Sequence, residues 1–141
     1  MNWLVDANVL SEPTRAQPNP HVVDWLRLNE RLLCIDAVVL GEIRFGILLL
    51  PAGRRRARLE TWFAAGVSRM TCLPWSAETG LRWAELLADL RRSGNAMPVK
   101  DSFIAATCLT HGLGVATRNV KDFASAGLTV VNPFAQASDS P

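Results

Sequence analysis

Apolar and polar positions change their period several times along this chain, and the changes mark out its elements. Residues 3–5 (Trp-Leu-Val) form a short apolar run that stops abruptly at Asp6, as a buried strand does when it delivers a carboxylate to a sheet edge. Residues 31–35, 71–74, 115–117 and 128–131 read as four further short strands. Between them the spacing lengthens to the helical period. An amphipathic helix is expected near 21–29, a second over 37–50, a third from the arginines at 54 to about 67, a fourth over 78–93, and a fifth from Pro98 to about His111. Pro13, Pro18 and Pro20 hold the stretch before the first helix as a loop, residues 51–53 break the chain, and Gly94 closes the fourth helix. Strands alternating with helices predict an α/β domain, a parallel sheet covered on both faces.

With 141 residues, 49% of them hydrophobic and 20% charged, the chain is expected to fold as one globular domain over residues 1–134, with a disordered polar tail over 135–141. No charged and apolar leader opens it and no apolar run is long enough to span a bilayer, so a cytoplasmic protein is expected. Cys34, Cys72 and Cys108 are odd in number, far apart and set in apolar sequence, and read as core thiols. The five tryptophans read as core and interface residues. A formal net charge of +2 argues neither for nor against nucleic acid. The dense run Arg54, Arg55, Arg56 and Arg58 is either a solvated helix face or a contact for RNA phosphates or a partner's acidic segment.

The acids change the picture. Asp6 precedes a turn of helix and would serve as its N-cap, and Asp36 reads as the cap of the next helix. Glu42, however, falls on a helical stripe with Val38, Phe45 and Leu49, so it is expected to face the packed side, with Gly41 and Gly46 leaving room for a close approach. Asp101, in the first turn of its helix, shares a stripe with Ile104, Ala105 and Cys108. If the first and fourth strands are neighbours, Asp6 and Asn119 end side by side, and Glu42 and Asp101 reach in from the covering helices. Carboxylates about 6 Å apart repel by roughly 3 kcal/mol per pair at an effective dielectric near 20. A hard divalent cation, Mg²⁺ with Mn²⁺ as substitute, resolves that repulsion and supports phosphodiester hydrolysis.

Four segments in one order carry a family resemblance. LVDANVLSE around Asp6, LGEIRFGI around Glu42, PVKDSFIAAT around Asp101 and VATRNVKDF around Asn119 together resemble the PIN-domain ribonuclease toxins of the VapC and FitB-like group. The resemblance implies a five-stranded parallel sheet in the order 3-2-1-4-5 and a metal-dependent endoribonuclease, the toxin of a type II toxin–antitoxin system, leaving a 5′ phosphate and a 3′ hydroxyl. Carried over position by position, Asp6, Glu42 and Asp101 match the metal-binding acids. The fourth acidic position departs from the pattern: Asn119 stands there, uncharged but with a carbonyl oxygen to offer, and Asp122 is the next acid. Asn8, Ser11, Thr117 and Arg118 flank these acids as candidate substrate contacts. The implied partners are RNA, a VapB-like antitoxin, a second copy of the chain in a homodimer, and operator DNA in a larger hetero-oligomer. A helix as apolar as the one ending in residues 46–50 fits a covered face.

Two other readings stay open on sequence alone. Asn119 could have reduced the chain to a module that binds RNA or antitoxin without efficient turnover. A phosphatase with an aspartyl nucleophile fits poorly, because Asn8 stands where such enzymes want a second aspartate.

Overall fold

The computed structural model describes residues 1–135, and all of the expected strands and long helices are present in it. In chain order they are β1 (Trp3–Val5), α1 (Ala7–Leu10), α2 (Pro20–Leu28), β2 (Leu33–Asp36), α3 (Ala37–Leu48), α4 (Arg54–Ala65), β3 (Cys72–Leu73), α5 (Ala77–Ser93), α6 (Val99–His111), β4 (Gly114–Ala116), α7 (Val120–Phe123) and β5 (Val130–Val131). The strands pair in parallel in the order β3-β2-β1-β4-β5, the order that the resemblance implies. The turn of helix expected after Asp6 is α1, whereas sequence reasoning missed the four-residue helix α7, too short to show a period. The tail expected to be disordered lies, apart from Ala135, outside the described residues.

The order puts a topological switch between β1 and β4, the place where open parallel sheets gather ligands. Both strands are buried and apolar. Leu4, Ile35, Val39, Ile104, Val115 and Phe123 are wholly enclosed in the main core, and Val5, Val9 and Val22 form a smaller cluster under α2. Gly114 is needed where β1 and β4 meet: it pairs with Trp3, and a Cβ there would stand 2.4 Å from that indole ring. Trp3 in turn meets Trp25 of α2 edge to face, ring centroids 6.0 Å apart. Gly112, at φ 67°, ends α6 in the left-handed conformation that glycine adopts without strain. On the far side α5 packs along α6, tied by the Trp83 indole N–H donating to Ser102 Oγ at 2.9 Å.

Two expectations change. α3 buries Val39, Ile43 and Ile47, not the stripe of Val38, Phe45 and Leu49, of which Phe45 is 62% and Leu49 69% exposed. A helix that is apolar almost all round gives periodicity little contrast to choose a face by. Gly41 and Gly46 stand in open space, for nothing lies within 4 Å of a Cβ built at either, so the expected room is there and no group of the described residues fills it. Cys34 and Cys108 are the core thiols expected, but Cys72 is exposed, because β3 is a two-residue edge strand with little to cover it.

Candidate active site

The site begins where β1 gives out. Asp6 is 3% exposed and takes the N-cap of α1, its Oδ1 accepting the Ala7 N–H at 2.8 Å. Its own N–H donates to the Ala116 carbonyl at 2.9 Å, so the ends of β1 and β4 are fastened together at this residue. Oδ2 accepts the Thr117 hydroxyl at 2.7 Å and, at 3.4 Å, the Asn8 amide. The capping and the site roles thus use different oxygens of one carboxylate.

β4 supplies the adjoining wall. Thr117 is fully buried, and its hydroxyl accepts the Asn119 N–H at 3.0 Å while donating to Asp6. Arg118 N–H donates to Asn8 Oδ1 at 3.1 Å, and the Arg118 guanidinium lies 4.5 Å from the centre of the Phe134 ring. Asn119 is exposed at the N-cap position of α7, and its side chain makes no capping hydrogen bond. Asp122 is half-buried on α7. Ser11 turns its hydroxyl back onto the Ala7 carbonyl at 2.7 Å.

Helices α3 and α6 add the remaining acids. Asp101 is 4% exposed in the first turn of α6, and Glu42 lies half-buried on α3. Burial pushes the Asp101 carboxyl up to about 6, and the charges of Asp6, Asp122 and Glu42 act in the same direction. Burial, reinforced by Glu42, also raises the Asp6 carboxyl above its ordinary value, against the opposing hydrogen bond from Thr117. Among the described residues no three acids are drawn together as a closed metal cluster. The charges of Asp6, Glu42 and Asp122 all act on Asp101, as expected of acids that share one acidic centre. Glu42 Oε1 is buried with no hydrogen-bond partner, an unused acceptor at that centre.

Sequence reasoning missed Lys100, whose ammonium pairs with Glu42 Oε2. The signal was available: a cation in the first turn of a helix opposes the macrodipole and needs a partner elsewhere. It also missed how deeply two other acids are enclosed. Glu12 accepts the Asn19 N–H at 2.9 Å, and Asp36 caps α3 through Val39 while accepting the Thr107 hydroxyl, both at 2.9 Å. Both are structural.

An open cleft of about 380 Å³ runs from Glu42 along α3 and α4, lined by Asn8, Ser11, Glu42, Ile47, Trp62 and Arg118, with Arg15 and Arg55 also on its walls. A larger groove of about 710 Å³ beside α2 and the end of α4 contains none of the candidate acids. An acidic centre opening into a cation-edged cleft is suited to a phosphate chain. Oxygen donors alone, one of them unsatisfied, fit a hard divalent ion that keeps part of its water shell.

Known proteins resemble the chain over most of its length. The PIN-domain family model matches residues 3–127. The VapC ribonuclease Y4jK of Sinorhizobium fredii is 34% identical over 139 residues, covering 95% of this chain and 99% of that protein. Toxin FitB of Neisseria gonorrhoeae is 33% identical over 135 residues, covering 93% of this chain and 97% of its own. The solved structure of FitAB bound to an IR36 DNA fragment superposes with a TM-score of 0.87 at 30% identity, covering 98% of this chain and 99% of that one.

Proposed function

The chain belongs to the PIN-domain family, and from that membership and its acidic cleft we infer that it is a metal-dependent endoribonuclease, the toxin of a type II toxin–antitoxin system. The observation that carries the reading is that Asp6 is buried at the switch between β1 and β4, while Asp101 is buried in the first turn of α6 beside Lys100, whose ammonium pairs with Glu42 of α3. Carboxylates buried together lower stability unless something else occupies them, so their grouping points to chemistry.

In this reading Asp6, Glu42 and Asp101 hold a divalent cation, with Mg²⁺ the physiological ion and Mn²⁺ a substitute, and Asn119 or Asp122 completes the site. When bound, the ion neutralises the carboxylates and supplies Lewis-acid activation of water and of a phosphodiester oxygen. The chain's own residues do the positioning. Thr117 and the Ala7 N–H fix the Asp6 carboxylate in one orientation, and Asn8 holds the Arg118 backbone against it. Arg118, steadied over Phe134, receives the RNA backbone, and Arg15 and Arg55 extend the path along the cleft. No side chain is needed as a nucleophile, and the products carry a 5′ phosphate and a 3′ hydroxyl. Among the described residues no helix is long and apolar enough to cross a membrane. We place the activity in the cytoplasm, where its substrate is.

The partners follow from the same family and from the surface. Phe45, Leu48 and Leu49 form an exposed apolar face on α3 beside the cleft, which a second copy of the chain and a VapB-like antitoxin would cover. FitAB, the relative solved on DNA, supports a larger assembly with operator DNA.

Cleavage of a total RNA pool by antitoxin-free protein, with Mg²⁺, Mn²⁺ or EDTA and alongside Asp6→Asn, tests the proposal. Discrete metal-requiring cuts with 5′-phosphate ends, absent in the variant, are expected. RNA left intact by folded protein with either metal would leave a binding module, and 2′,3′-cyclic phosphate ends formed in EDTA would overturn the mechanism.

A further inference from the structure

Lys100 holds a position that its own helix disfavours. It is the second residue of α6, at the end where free backbone N–H groups carry partial positive charge. Its ammonium nevertheless crosses to α3 and pairs with Glu42 Oε2, 58 positions earlier in the chain. The charged groups that face it are Glu42 from α3, Asp6 from the end of β1 and Asp101 on its own helix. The second oxygen of Glu42 is buried and unpartnered, so one carboxylate is half neutralised by lysine and half unused.

That arrangement matches a cation standing where another cation belongs. Resting on the assignment of Glu42, Asp6 and Asp101 as metal-holding residues, we propose that Lys100 is a positioning residue: its ammonium is the resident counter-ion of the acidic cluster, and a divalent cation exchanges with it at Glu42. The lysine side chain is 54% exposed, so its head can leave the carboxylate for water without unpacking the core. An ion pair of that exposure amounts to a factor of about two to five in an equilibrium constant, weak enough for a doubly charged ion to displace. Lys100 therefore does two opposed things. It keeps the metal-free carboxylates from repelling one another, and it raises the ion concentration needed to load the site.

Mn²⁺ titration calorimetry on the metal-free, antitoxin-free full chain tests the exchange, with thermal midpoints taken before and after loading. Lys100→Met is expected to bind Mn²⁺ about two- to fivefold more tightly, to melt lower without metal, and to gain more from loading than the parent. Lys100→Arg, which keeps the charge, is expected to stay within about twofold of the parent affinity. Lys100→Gln repeats the measurement without an apolar head. Affinity in Lys100→Met and Lys100→Gln equal to or weaker than the parent's, in folded protein, overturns the exchange. Asp101→Asn separates the two levels of the argument. Loss of Mn²⁺ binding there supports the metal site on which the exchange rests, whereas parent-like binding overturns that site and the exchange with it.

Discussion

Thr117 and Asp6 lie 111 positions apart in the chain and 2.7 Å apart in the fold, the threonine hydroxyl donating to a carboxylate that burial would otherwise hold further from ionisation. Thr117→Val removes that donor and leaves Oδ2 with only the long Asn8 contact. The Asp6 carboxyl is then expected to rise further, so the pH at which Mn²⁺ binding is half complete moves upward. Stability should fall by about 1–3 kcal/mol. Thr117→Ser should restore both. Titration calorimetry across pH 5–8 reads the shift.

Asp101 makes the metal-free protein sensitive to pH in an unusual direction. Its folded value of about 6 lies above the ordinary carboxylate value of 3.8, so between these limits the native state binds more protons than the unfolded chain and stability falls as pH rises. A loss on the order of 2 kcal/mol is expected between about pH 4 and pH 6.5 in EDTA. With saturating Mn²⁺ the dependence should reverse, since the ion binds the deprotonated acids. Thermal midpoints in the two series check both signs.

Asp36 is as deeply buried as Asp6 but has every obligation met within the fold, by Val39 and by Thr107. Asp36→Ala should lower stability by about 1–3 kcal/mol, through the lost cap and the stranded Thr107 hydroxyl. Its Mn²⁺ affinity, measured well below the melting range, should match the parent's.

Asn119→Asp adds a further negative charge after β4, where the exposed side chain makes no capping bond that the change could break. Affinity for Mn²⁺ should tighten by about two- to tenfold. RNA cleavage at limiting metal should rise with it.

Leu49→Glu puts a charge on the apolar face of α3 at a position 69% exposed. Folding should change by no more than about 0.5 kcal/mol. Light scattering should report loss of the homodimer, and antitoxin capture should weaken.

How much of this was legible depended on contrast. Asp6 and Asp101 could be read because each interrupts an apolar pattern at a definite point: a strand end for the first, the opening turn of a half-buried helix for the second. Glu42 was named for the wrong stripe, because α3 is apolar on nearly every side and its true inward residues, Val39, Ile43 and Ile47, look no different from their neighbours. Lys100 was passed over because a lysine beside an aspartate at a helix start looks like solvated surface; only the approach of α3 shows what it faces. Cys72 was misjudged because local sequence does not say that its strand is two residues long and on the sheet's edge. The strand order itself came from resemblance, since strands of two to four residues carry too little pattern to specify their neighbours.

The pairing of β1 with β4 has a consequence for how this protein is made. Asp6 is synthesised more than 100 residues before the β4 strand that flanks it and the hydroxyl that orients it. A prematurely terminated chain carries the first acid and lacks the wall of the cleft. The site is therefore assembled only after β4 has been made, and a message broken before that strand yields fragments that cannot build it.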